Sequence, residues 1–451
     1  MADDVRPFGE LFAEPTRNGL TRPKAVRGVG VKMVNMGELF SHPRLRNVPM
    51  DRVPLSESEG ERFLLANGDL LFARQSLVLE GAGKCSIFQH DTEPVTFESH
   101  VTRVRLDPEK GDSQFYFYYL QSHHGRVAIR SIVEQGAGAS GIRGSDLQSL
   151  KVQWLPINEQ RAIAHILGTL DDKIELNRQM NETLEAIARA LFKSWFVDYD
   201  PVRAKAEGRD PGLPKHIADL FPDSFEDSEL GEIPKGWRLG ALNEVLTELE
   251  TGGRPKGGVS EYSTGIPSIG AESIVKLGKF DYSKTKYVPR TFFEAMTKGH
   301  VRSRDVLLYK DGGRPGEFEP HVTMFGDGFP FDTCAINEHV YRMRAKHELG
   351  QNFLFFWLSS DLVMEEMRTK GTGVAIPGLN STQVKSLTAL EPSSAVILAF
   401  DRLVEPLIVR VLGSCNKSRT LAALRDALLP KLISGVLRVG DGNQVIERVN
   451  A

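Results

Sequence analysis

The chain has 451 residues, 41% apolar and 25% charged, with a formal net charge of −3. That is enough for two or three domains with their own cores, and the balance is that of a globular protein. No run of about 18 apolar residues occurs, so no membrane span is expected, and the acidic opening MADDVRPFGE has no signal-peptide core.

Three cysteines, Cys85, Cys334 and Cys415, lie far apart without metal-ligand spacing. They are expected as reduced thiols in a cytoplasmic protein. The net charge hides a segregation. Between Pro15 and Gly37 stand Arg17, Arg22, Lys24, Arg27 and Lys32 with no acid, whereas His216 to Pro234 carries only acids. Local sign decides where a polyanion docks, so the first run is a candidate for such contact.

Residues 1–153 alternate short β-like runs with Gly/Pro turns: VGVKMVNM (29–36), DLLFARQSLVL (69–79) and HVTRVRL (100–106). The aromatic run QFYFYYLQ (114–121) is expected to pack a core. A glycine-rich stretch, GAGASGIRG (136–144), then leads to LQSLKVQWLP. One mixed α/β domain, poor in long helices, is predicted here.

Residues 154–197 carry a heptad seam: Ile163, Leu167, Leu170, Ile174, then Asn177 and Asn181, then Leu184, Ala188, Leu191 and Trp195. This is the pattern of a helix packed along another helix. Some 40 residues at about 1.5 Å each make a rod of roughly 60 Å. Asn158 is the expected N-cap.

Residues 198–236, rich in Pro, Gly and acids, read as a linker or a lightly structured connector. From residue 237 the first half begins again. GDLLFAR (68–74) recurs as RDVLLYK (304–310), and GAG (136–138) recurs as GTG (371–373). The second domain is thus placed at 237–390 and a second rod at 391–437, with a tail at 438–451.

The second seam repeats the first at a constant offset: Phe400, Val404, Leu407, Val411, Leu421, Leu428 and Leu432, with Ser414 and Ser418 in place of the asparagines. Ser394 is the expected cap. Pro406 is expected to kink the rod or delay its start, and Pro430 to end or bend it. Arg425 stands where the first seam has Ala188. It is expected to reach an acid or the rim, and its removal to be nearly neutral or stabilising. The fold class is therefore mixed α/β: two tandem globular domains separated by two long antiparallel helices forming a coiled coil, a pseudo-two-fold internal repeat.

Catalytic signatures are missing. There is no Pro-Pro dipeptide and no G-x-x-x-x-G-K-[ST] loop; GAGK (81–84) lacks the spacing. His123 and His124 are adjacent and do not share a helix face as paired ligands would. The chain is expected to bind rather than to catalyse.

At this point the residues resemble a known family, the specificity subunits of type I restriction–modification systems. LPINEQ (155–160) running into the rod, WFVDYDPVRAK (195–205), DSELGEIPKGW (227–237) and TGGRPKGG (251–258) carry the resemblance, which spans nearly the whole chain. It implies two target recognition domains, each reading one half of a bipartite double-stranded DNA site. It implies helices that set the spacing and dock two modification (methyltransferase) subunits, with restriction (translocase/nuclease) subunits added. No active site or cofactor is implied in this chain; S-adenosylmethionine, ATP and Mg²⁺ belong to the partners.

On that reading the base-reading candidates lie on equivalent loops. They are Arg22 and Lys24 with Arg254 and Lys256; Arg74 and Gln75 with Lys310, Asp311 and Arg314; and Ser140 and Arg143 with Asn380 and Ser381. Arg suits guanine and Gln suits adenine. Two other readings remain open here: a recognition module of a type II-like restriction–methylation enzyme, and a coiled-coil scaffold that does not touch DNA.

Overall fold

The computed structural model describes residues 4–136, 139–229, 231–371, 373, 376–440 and 442. Ala137 and Gly138 of the first glycine run, Thr372 of the second, and most of the tail at 438–451 lie outside the described residues. The chain divides into two compact units, Met1–Lys173 with Leu421–Ala451, and Ile174–Thr420.

In the first unit, Leu70–Ala73 is buried along its whole length. It lies between Val101–Val104 and Cys85–His90 in a five-stranded sheet edged by Arg17–Asn18 and Arg44–Arg46. A second sheet joins Asp51–Val53, Val31–Val34 and Val95–Phe97. Continuous burial explains why Leu70–Ala73 is apolar without alternation. The aromatic run forms the helix Ser113–Gln121, with every residue from Phe115 to Leu120 buried.

In the second unit, Val306–Tyr309 lies between Val340–Ala345 and Val322–Met324, with Leu246–Thr251 on the outside. A three-stranded sheet of Lys286–Val288, Ile266–Ile269 and Ala335–Ile336 accompanies it.

The internal repeat is visible bond by bond. Asp69 accepts from the backbone of Ala66 at 2.7 Å and from Arg105 Nε at 2.7 Å. Asp305 accepts from the backbone of Arg302 at 2.7 Å and from Arg344 Nη2 at 2.6 Å. Arg103 pairs with Glu14 at 2.8 Å, and Arg342 pairs with Glu250 at 2.7 Å. Both Arg103 and Arg342 are only 2% exposed. Burying such charges is tolerable only because each meets an opposite charge or a hydrogen-bond acceptor.

The two long helices are Ile157–Phe196 and Ser394–Ile433, each of 40 residues. Within the second unit they run antiparallel. Asn177 donates to Ser418 Oγ at 3.1 Å, and Asn181 lies 3.3 Å from Cys415 Sγ. The rings of Phe196 and Phe400 are 5.1 Å apart. Ile163, Leu167, Leu170, Trp195, Phe400, Val404, Val411, Leu421, Leu428 and Leu432 are buried, whereas Ile174, Leu184, Leu191 and Leu407 are half-buried. Asn177 thus meets the Ser418 break of the facing seam, whereas Asn181 meets Cys415 and its Oδ1 is buried without a hydrogen-bond partner.

Four expectations are corrected. The first helix starts at Ile157, with the Pro156 carbonyl accepting from Glu159 and Gln160, so Asn158 lies inside the first turn. The second helix is capped one residue earlier than expected, by Ser393, whose Oγ accepts from Val396 N at 3.4 Å. Pro406 neither delays nor interrupts that helix, and Pro430 does not end it at once. Both prolines are exposed, as are Arg402 and Asp426, whose carbonyls lose their helical donors, so water can serve those groups.

The connector is not a loose linker. It forms the helix Asp200–Ala206 and the hairpin Phe225–Ser228/Gly231–Pro234. Val202, Phe221, Ile233 and Trp237 are buried in the second unit's core. Widely spaced apolar residues escaped a reading based on local composition.

Candidate nucleic-acid interface

In the first unit the loop after the central strand is held by two neighbours. Arg74 N donates to His100 O at 2.8 Å, and Arg74 O accepts from Ile142 N at 3.0 Å. Gln75–Ser76 then pairs with Ser140–Gly141, which pairs with Glu134–Gln135. Arg74, Gln75 and Ser140 are therefore neighbours. Gln75 is exposed, Arg74 is half-buried and Ser140 is buried. Arg143 extends from the same strand and pairs with Glu134 at 2.6 Å on the surface.

The second unit repeats this geometry. Lys310 N donates to His339 O at 3.0 Å, and Lys310 O accepts from Leu379 N at 2.8 Å. Asp311 bridges to Gly378. His339 Nδ1 lies 2.8 Å from Asp311 Oδ1, and its Nε2 lies 3.4 Å from Glu338 Oε1. Arg254 Nε binds the same Glu338 oxygen at 2.6 Å, and Lys310 Nζ donates to the Glu338 carbonyl at 3.3 Å. Arg254, Lys310 and Asp311, spread over 58 positions of sequence, are gathered around Glu338 and His339. Neither of those two was singled out from the sequence. The available signal was the repeat of HVTRVR (100–105) as HVYRMR (339–344).

Not every candidate joins these faces. Arg22 pairs with Glu59 at 2.6 Å. The Ser56 backbone N–H, helped by Arg22, holds the Glu59 carboxyl down at about 2. Of the basic run that looked free, Arg27 pairs with Asp51 at 3.0 Å, Lys32 with Asp91 at 2.8 Å, and Arg17 lies over the Phe63 ring. Among the described residues only Lys24 of that run lacks such a partner. The run is therefore not a cationic strip: acids distant in sequence fold onto it. Lys256 and Arg314 are exposed. Asn380 caps the helix Ser381–Lys385 through Gln383 N at 2.9 Å, leaving Ser381 exposed in the first turn.

The loops holding Arg22 and Arg254 leave their strands at a glycine. An added Cβ on Gly19 would lie 2.1 Å from Phe97 O, and on Gly252 1.6 Å from Ile336 O. Only glycine lets the backbones approach so closely. Among the described residues no group of three or more His, Cys, Asp or Glu side chains is placed to hold a metal ion, and no helix is long and apolar enough to cross a membrane. All three cysteines are free, and burial pushes the Cys85 thiol up and the Cys415 thiol to about 11.

A family model described as the type I restriction modification DNA specificity domain matches residues 34–186. The chain is 24% identical over 332 residues to the type I restriction enzyme MjaIX specificity subunit of Methanocaldococcus jannaschii, covering 74% of this chain and 71% of that protein. It is 24% identical over 446 residues to the putative MjaX specificity subunit of the same organism, covering 97% and 94%. Its fold is shared with the crystal structure of a type I restriction–modification system S subunit from M. genitalium, at a TM-score of 0.52, 16% identity and 95% coverage of each chain.

Proposed function

We infer that this chain, which belongs to the specificity subunits of type I restriction–modification systems, is the non-catalytic part of its complex that selects the DNA sequence. Each unit presents one reading face, and each face takes one half of a bipartite site. The observation that carries this is the pair of equivalent loops: the same backbone hydrogen bonds hold Arg74 beside His100 and Lys310 beside His339. One scaffold used twice, with different side chains at its tip, is what two different half-sites require.

The long helices set the spacing of the half-sites and dock two modification subunits. Leu176, Ile187, Leu398, Leu403 and Val409 on them stay exposed, which supports a surface for partner helices. Methyl transfer from S-adenosylmethionine, and ATP- and Mg²⁺-dependent translocation and cleavage, are assigned to the partner subunits. A net charge of −3 fits a reader whose phosphate contacts are shared with those partners.

Methylation mapping in the host tests this. The wild-type complex is expected to modify one bipartite sequence. Exchanging residues 1–150 for the same domain of a relative is expected to change one half of that sequence only. A change in both halves, or methylation without sequence preference, overturns the reading.

A further inference from the structure

Within the repeated HVTRVR and HVYRMR, the fold accounts for most positions. Val101 and Val340 are fully buried. Arg103 and Arg342 are buried against Glu14 and Glu250, and Arg105 and Arg344 neutralise the buried Asp69 and Asp305. The histidines have no such duty. His100 is exposed and His339 is 40% exposed. Yet both copies keep the imidazole, and in both its own carbonyl fixes the backbone of the basic residue at the loop tip.

The neighbourhoods differ. His339 faces Asp311 and Glu338, with Arg254 on the far side of Glu338. The equivalent positions around His100 are Gln75 and Ser99, which carry no charge. In the neutral ring, Nδ1–H donating to Asp311 leaves Nε2 with a lone pair. That acceptor, beside the Glu338 carboxylate, suits an exocyclic amino group in the major groove, N6 of adenine or N4 of cytosine. Gln75, the counterpart of Asp311, offers both a donor and an acceptor.

We propose that His100 and His339 are equivalent base-contacting positions, one on each reading face, and that Asp311 orients His339 to select an amino-bearing base. The proposal rests on the function assigned above. The test uses the full chain in complex with its modification subunit, bound to duplexes carrying the mapped site and every single base-pair change within it.

His339→Ala is expected to weaken binding by about 10- to 100-fold. It should also abolish discrimination at one adenine- or cytosine-bearing position in one half-site. His100→Ala should act at one position of the other half, and Asp311→Asn should relax the same position as His339→Ala. His339→Gln is the second variant should the alanine lower the melting temperature. Unchanged discrimination in variants that melt like the wild type overturns the proposal. So does an equal loss on mapped and scrambled duplexes, the mark of a phosphate contact. If the wild-type complex shows no preference for the mapped over a scrambled duplex, the function itself fails, and that control separates the two failures.

Discussion

In the first unit the positions equivalent to Asp311 and Glu338 are Gln75 and Ser99, which carry no charge, and the His100 carbonyl holds the backbone of Arg74. Around His339 the same backbone carries Asp311 and Glu338, balanced by Arg254 and Lys310. Below the faces the difference shrinks. Both units bury an Asp–Arg–Arg–Glu network under the central strand. The second network is the denser: Arg342 meets Asp305, Glu248 and Glu250, whereas Arg103 meets one carboxylate and the carbonyls of Arg62 and Leu64. Duplication has held the part that low dielectric makes costly to change and has let the solvent-facing tips diverge. A tip residue can be replaced at little cost in stability, whereas a buried ion pair losing one partner leaves an uncompensated charge.

That contrast can be broken most severely at Arg342. Arg342→Met should destabilise the second unit by about 3–5 kcal/mol, because fully buried Asp305 keeps one of its two arginines, Arg344, beside the Arg302 backbone N–H, and Glu248 and Glu250 lose their shared partner. Arg103→Met should cost the first unit less, about 2 kcal/mol. Hydrogen exchange of amides in each unit measures the two losses separately. Equal losses, or the reverse order, would show that the denser network is not the stronger.

A second asymmetry lies on the helices, where Arg425 answers to Ala188. The sequence predicts that Arg425 reaches an acid or the rim, and its guanidinium binds Asp171 at 2.6 Å. The Asp171 side chain is 10% exposed and also accepts from Tyr118 at 2.6 Å, a burial that the expectation of a nearly neutral or stabilising loss did not include. Arg425→Ala is therefore expected to cost roughly 2 kcal/mol, below the fully buried case because the arginine reaches solvent. Asp171→Asn in the same background should recover much of the loss. Additive losses in the double variant would mean the pair is not coupled.

The third asymmetry is an acid without a counterpart. Asp401 stands at the position of Ala164 in the first helix. Burial pushes its carboxyl up to about 6, partly opposed by the hydrogen bond from Asn352 and reinforced by Glu405. A raised folded-state value means the native state favours the protonated acid. The stability it contributes is present below about pH 4 and lost as pH rises through about 6. Asp401→Asn should raise the melting temperature at pH 7–8, with the gain shrinking toward pH 4. A gain independent of pH would mean that the acid is not the cause.

The rods, the repeat and the two central strands were legible in the sequence because each is a local pattern: a heptad, a constant offset, a continuous apolar run. The loops beside Arg74 and Lys310 were legible for the same reason, since they follow those strands directly. What escaped was long-range pairing. Composition marked the connector as a linker or lightly structured, yet Val202, Phe221 and Ile233 find a core that no window around them contains. Charge counting marked the run with Arg22, Arg27 and Lys32 as a candidate for polyanion contact, yet Glu59, Asp51 and Asp91 close on them. Pro406 looked disruptive, but it lies on an exposed face, as does Arg402, whose carbonyl loses its helical donor there. Periodicity and propensity act over a turn or two of chain, so the sequence alone determined the elements and their repetition. Which charges stay free to meet DNA depends on partners brought together only by folding, and that the tertiary structure decided.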